Sequence, residues 1–240
     1  RMAEEGCDFE TSLKEAQEKG YAERNPEADV EGYDACRKIA ILASLMTGKT
    51  ARYEEIYTEG ITKITREDFL YAHKMNQFIK LLASVREVDG KYYAMVAPFL
   101  IGEKNPLHSV NDVFNAIFIR GNTLGDSMYY GRGAGKLPTA SAVVSDVIDC
   151  AKHGRTHILC LWGEEKLSLC SIDGASRRFF VRAKKGCEEE AKKLFGEIEM
   201  VDAGLFEEFG FVTPSLTEKA FAEKCGALSG FISRIRVEGD

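Results

Sequence analysis

FIKLLASVREVDGKYYAMVAPFLI, from Phe78 to Ile101, reads as two strands folded about a turn. Asp89-Gly90 supplies the turn: both residue types tolerate positive φ, which a two-residue connection needs if it is to match strand twist. Its arms are expected over Phe78–Glu87 and Lys91–Ile101. Downstream, Ala116–Arg120 and Ser127–Tyr130 flank Gly121–Asp126 as a second pair. A helix from about Thr139 to Lys152 follows the glycines at 131, 133 and 135. Upstream the period changes to that of helices. Asp8–Lys19 places Phe9, Leu13 and Ala16 on one face before Gly20. After a polar loop, Tyr21–Glu31, Tyr33–Thr47 carries an Ile39, Leu42, Ala43, Met46 stripe and ends at Gly48. Thr65 with Asp68 makes a capping-box pattern for a third helix reaching about Asn76. Helices, then antiparallel strands, then a covering helix predict an α+β fold, with helices packed on a mostly antiparallel sheet. Strands and helices do not alternate as a dinucleotide-binding unit requires.

From about Arg155 the pattern differs. Arg177–Ala183 reads as a strand, Glu188–Phe195 as a helix, and Glu197–Asp202 and Phe209–Val212 as strands. Ser215 with Glu218 would cap another helix, and Phe231–Val237 is a last strand. This β-α-β-β-α-β order is the split βαβ, ferredoxin-like arrangement. Two domains are therefore expected, 1–154 and 155–240.

Composition narrows the function. A net charge of -6 disfavours a nucleic-acid surface, which needs a concentrated basic patch. No apolar run approaches the ~20 residues of a membrane span, and no secretion signal is visible. The seven cysteines are odd in number and form no CxxC, so no disulfide framework is indicated and a reducing, cytoplasmic setting is expected. His153 and His157 are four apart, but Gly154 between them favours a helix end and no third ligand is near, so no metal site is expected.

The chemistry-bearing stretch is GYAERNPEADVEGYDACRK, Gly20 to Lys38. Glu23 lies in its loop, and Asp34 and Lys38 share one face of the following helix. Two carboxylates beside one ammonium can grip an amino acid's α-ammonium and leave the lysine to exchange a proton. Spacing alone favours an ordinary solvated ion pair. Likewise Gly131-x-Gly133-x-Gly135 read alone is a tight turn, since no βαβ unit surrounds it.

The literal residues go further. A GYAE loop, then Pro26, then Gly32-x-Asp34-x-x-Arg37-Lys38 opening a helix, resembles the signature of the homoserine dehydrogenase family. Phe9 to Gln17, ILASLMTG, EGITKIT, NPLHSV and YGRGAGKLPTASAVVSD resemble segments flanking it, so the likeness covers about the first 150 residues. Arg24-Asn25 departs from the Pro-Asp more often found after the glutamate.

That resemblance implies an NAD(P)-dependent oxidoreductase interconverting L-homoserine and L-aspartate 4-semialdehyde. Lys38 would be the catalytic proton donor and acceptor, Glu23 and Asp34 would bind substrate, and Gly20, Gly133 and Gly135 would border the cofactor. NAD(P) would be held mainly by an N-terminal Rossmann-type domain that this sequence does not contain, so the chain alone is expected to be inactive. The family also implies a homodimer. The tail resembles an ACT domain in element order, although Lys184-Lys185-Gly186-Cys187 stands where an Asp-x-Pro-Gly turn is usual. A second reading is a non-catalytic regulatory or dimerisation fragment that binds an end-product amino acid.

Overall fold

The computed structural model describes residues 1–156, 158–159 and 161–239. Four helices come first: α1 (Met2–Glu5), α2 (Phe9–Glu18), α3 (Glu27–Val30) and α4 (Tyr33–Thr47). Then come β1 (Tyr57–Thr58), α5 (Arg66–Lys74), and the hairpin β2 (Gln77–Val88) and β3 (Lys91–Gly102). A separate hairpin, β4 (Phe114–Gly121) and β5 (Gly125–Arg132), leads into α6 (Lys136–Lys152). The tail contributes β6 (Ser176–Lys184), α7 (Glu188–Phe195), β7 (Glu199–Val201), β8 (Glu208–Val212), β9 (Leu216–Thr217), α8 (Glu218–Ala227) and β10 (Phe231–Val237).

The β2–β3 hairpin folds as its turn dictates. Asp89 and Gly90 take φ of 50° and 73°, the pair of positive values that a type I′ turn requires. The ladder then runs in register from Val88–Lys91 back to Gln77–Gly102. Since β2 fills one edge of β3, the other edge is left for parallel pairing with β1 at Met95–Val96 and with β10 at Phe99–Leu100. From β10 the sheet continues antiparallel through β6 and β8 to β7. The tail strands thus lie in the order last, first, third, second, the split βαβ arrangement expected for that element sequence. The fold is α+β, with helices on a mostly antiparallel sheet.

Packing explains why the sheet does not stop near residue 155. Tyr71 and Ala72 of α5 and Leu100 of β3 share one apolar cluster with Phe180, Val212 and Ile235 from the tail. A second cluster seats Cys36, Ile39 and Ala40 of α4 against Ala94 and Val96. Nearer the end of the sheet, Phe179, Val181 and Phe211 pack under Ala191, Phe195 and Phe221 of α7 and α8.

Several expectations need correction. The helix read as covering the sheet, α6, buries none of its residues, and Leu137, Val143, Val144, Val147 and Ile148 along it are exposed. The cap of α8 is Thr217, whose side chain accepts from Ala220 N–H, not Ser215. Glu218 serves instead as a buried partner for Arg236. The polar loop contains the single turn α3, and the two-residue strands β1 and β9 are too short to give a periodic signal. His157 and Cys160 lie outside the described residues.

Candidate functional site

Helix α2 ends in a Schellman arrangement. Gly20 N–H donates to Gln17 O at 3.0 Å and Tyr21 N–H to Ala16 O at 2.8 Å, with Gly20 at φ 70°. The loop that follows is tied down by its backbone. Gln17 Nε2 donates to Glu23 O at 2.9 Å, and Glu23 N–H reaches Asp29 Oδ2 at 3.4 Å. The Glu23 carboxylate faces solvent and forms no ion pair among the described residues. Gly32, at φ 79°, then turns the chain into α4.

Asp34 stands in the first turn of α4, where a carboxylate is favoured by the helix dipole. Its Oδ2 lies 2.6 Å from Lys38 Nζ. Both side chains are largely exposed, 48% and 65%, so the pair itself stabilises the helix by only about 0.3–0.5 kcal/mol. Its accessibility is what a substrate site needs. The structure therefore brings Asp34 and Lys38 together and does not join Glu23 to them.

The three glycines differ in what they require. A Cβ on Gly20 would meet nothing within 4 Å, so its backbone is open on that side. One on Gly133 would fall 1.4 Å from Asn115 Nδ2, so this position is already filled by a side chain of β4. Gly135 takes φ 117° and ψ 156° as it caps α6, a region that is essentially glycine-only. The backbone is thus open at Gly20 and Gly135, where a Cβ would meet no atom nearer than 3.6 Å, and closed at Gly133.

A cluster of charges that nothing in the sequence pattern announces lies close by. Glu59 Oε1 and Oε2 each accept from Arg234 at 2.8 Å. Oε2 also accepts from Arg236 Nη1 at 2.7 Å and from Tyr57 O–H at 3.0 Å. Arg236, 1% exposed, donates from Nε and Nη2 to Glu218 at 2.6 and 2.9 Å. Arg177 Nε sits 3.0 Å from Glu218 Oε1 without hydrogen-bond alignment. Burial raises the Glu59 pKa, but hydrogen bonds and charge from Arg234 and Arg236 outweigh it and hold the carboxyl at about 2. A cleft of about 230 Å³ opens beside this cluster, lined in part by Glu31, Tyr33, Glu59, Lys63 and Arg234. Arg234 and Arg236 alternate along β10, a spacing that also fits a solvated strand face, so sequence alone gave no reason to prefer a buried cluster.

Among the described residues no helix is long and apolar enough to cross a membrane. No group of three His, Cys, Asp or Glu side chains there is placed to hold a metal ion.

Comparison with known proteins places these features in context. The family profile for homoserine dehydrogenase matches residues 1–148. A homoserine dehydrogenase of Synechocystis is 48% identical over 153 residues, covering 62% of this chain and 35% of that protein. One from Helicobacter pylori is 41% identical over 201 residues, covering 84% and 47%. The crystal structure of a homoserine dehydrogenase from Thiobacillus denitrificans superposes with a TM-score of 0.85 at 30% identity, over 99% of this chain and 60% of that one. The chain thus spans between about a third and three fifths of the length of these relatives.

Proposed function

The chain belongs to the homoserine dehydrogenase family, and from that premise we propose that it supplies the substrate-binding and catalytic part of an NAD(P)-dependent enzyme. Within its whole protein, that enzyme interconverts L-homoserine and L-aspartate 4-semialdehyde. The observation that carries this reading is the accessible Asp34–Lys38 pair at the start of α4, inside the span matched to the family. Asp34 and Glu23 would bind the amino acid's α-ammonium. When bound, a nicotinamide cofactor supplies or takes up the hydride. As the carbonyl carbon is reduced, negative charge gathers on its oxygen, and Lys38 supplies the proton there; in the reverse direction Lys38 accepts it.

We assign cofactor contact in this chain to Gly20 and Gly135, where a Cβ would meet no atom nearer than 3.6 Å. The adenosine and pyrophosphate would be held by residues outside it, since no strand–GxGxxG–helix unit occurs here. The exposed apolar side chains of α6, with Ile117, Ile119 and Met128 of the β4–β5 hairpin, support covering by further protein. Part of that cover would come from a second subunit in a cytoplasmic homodimer. Residues 155–240 would serve as the packing or amino-acid-sensing unit.

The experiment is an assay of the full-length protein with L-homoserine and NAD⁺ or NADP⁺, followed by absorbance of the reduced cofactor. Homoserine-dependent reduction supports the reading. Its absence with both cofactors, in folded protein, refutes it.

A further inference from the structure

We propose that Glu59 is a positioning residue for the Asp34–Lys38 site: gripped by Arg234 and Arg236 of the tail strand β10, it holds the loop that enters α4. The inference rests on the catalytic reading of Lys38 given above and adds to it a role for residues beyond the span matched to the family.

The connection is continuous and short. Glu59 follows β1 directly, and its N–H donates to Val96 O on β3 at 2.8 Å. Its carboxylate takes three hydrogen bonds from two arginines, both on the last strand. Arg236 is fixed from its other side by Glu218. Glu59 therefore has little freedom, because any movement strands a buried guanidinium.

The next residue transmits that constraint. A Cβ on Gly60 would lie 2.2 Å from Val30 O and 2.4 Å from Glu31 Cα. Backbone thus rests on backbone, with no flexible side chain between to absorb a shift. Ile61 N–H donates to Val30 O at 2.8 Å, and Thr62 Oγ1 to Glu31 Oε1 at 3.0 Å. Val30 and Glu31 lead into Gly32, the cap of α4, two residues before Asp34. Loop 23–32 carries one proposed substrate carboxylate, and the first turn of α4 carries the other. Their separation accordingly depends on where segment 59–61 sits, and that is fixed by β3 at the backbone and by the tail at the Glu59 carboxylate. The packing cores place the tail against the sheet; this link gives it a direct hold on the substrate loop.

The test compares Glu59→Gln and Gly60→Ala in the full-length protein, with Lys38→Ala as the control for chemistry. Glu59→Gln loosens the grip at one end, and Gly60→Ala wedges the backbones apart at the other. Both should raise KM for homoserine about tenfold, as expected when a small displacement reaches the site from a distance. KM for the nicotinamide cofactor should stay within about twofold, because that ligand is held chiefly elsewhere. Should Glu59→Gln not fold, Arg234→Lys keeps a cation at a partly exposed position but loses the two-pronged grip, and should show the same signature at about threefold. Unchanged homoserine KM in both variants overturns the link. So does a loss of thermal stability with a parallel rise in both KM values, which would mark a merely structural role. A wild-type protein that does not oxidise homoserine overturns the functional reading, and this inference with it; normal turnover with normal variants overturns this inference alone.

Discussion

Replacing Arg182 by Met should cost more than removal of any surface charge in this chain. Arg182 is 4% exposed and lies on β6, yet three of its partners belong to other elements. Nε and Nη2 donate to Glu208 Oε1 and Oε2 on β8 at 2.9 and 2.8 Å. Nη1 donates to Asp68 Oδ1 at 2.8 Å and to Thr65 Oγ1 at 2.7 Å, at the start of α5. Asp68 is 1% exposed and caps α5 through the Thr65 N–H. Met fills most of the volume of the arginine stem, so the loss is electrostatic: a buried carboxylate remains without its cation. Breaking one side of such a pair costs about 3–5 kcal/mol. At about 2–4 °C per kcal/mol for a chain of this size, the melting temperature should fall by roughly 6–20 °C. Urea unfolding of the purified chain, with unchanged m-value, measures the energy. Adding Asp68→Asn to Arg182→Met removes the orphaned charge and should recover part of the loss, which a double-mutant cycle isolates. A cost below about 1 kcal/mol would mean that the cluster behaves as a solvated surface pair, and the argument that α5 and the tail share a buried joint would fail.

Two more outcomes follow from the same geometry. Glu59 has its carboxyl pKa depressed to about 2 from 4.5, so its contribution is complete above about pH 4.5 and is lost as pH falls towards 2. At about 1.4 kcal/mol per unit this amounts to at most about 3.5 kcal/mol. The stability gap between wild type and Glu59→Gln, measured in urea at pH 6 and pH 3, should shrink at the lower pH; a constant gap refutes the assignment. The exposed apolar faces of α6 and the β4–β5 hairpin predict self-association, which sedimentation at tens of micromolar should record as a dimer; a monomer there counts against the dimer reading.

The parts of this structure legible in sequence are those whose cause is local. Asp89-Gly90 dictated its own turn, and of the Ile39, Leu42, Ala43, Met46 stripe of α4, Ile39 and Ala43 are buried and Ile39 and Leu42 pack in the cluster against the sheet, whereas Met46 is exposed. The tail's element order carried its strand order, because short connections leave few ways to arrange a split βαβ unit. What escaped depends on partners distant along the chain. Pairing of β10 with β3 joins residues more than 130 apart, and nothing local in Ile232–Val237 announces it. Exposure of α6 was equally hidden, since an apolar helix stripe reads the same whether its cover comes from this chain or from another. At the site, Asp34 and Lys38 were legible through the literal residues around them, not through their spacing, whereas Glu59 gained significance only when β10 brought two arginines to it.

The central claim is that Lys38 handles the proton in homoserine oxidation, with Asp34 and Glu23 binding the substrate. Its most direct test is steady-state kinetics of Lys38→Ala in the full-length protein, beside Asp34→Ala and Glu23→Ala. The account predicts that Lys38→Ala lowers kcat by about 10²–10⁴-fold, while the two carboxylate variants mainly raise KM for homoserine. A Lys38→Ala enzyme with kcat within about threefold of wild type would remove Lys38 from the chemistry and contradict the account.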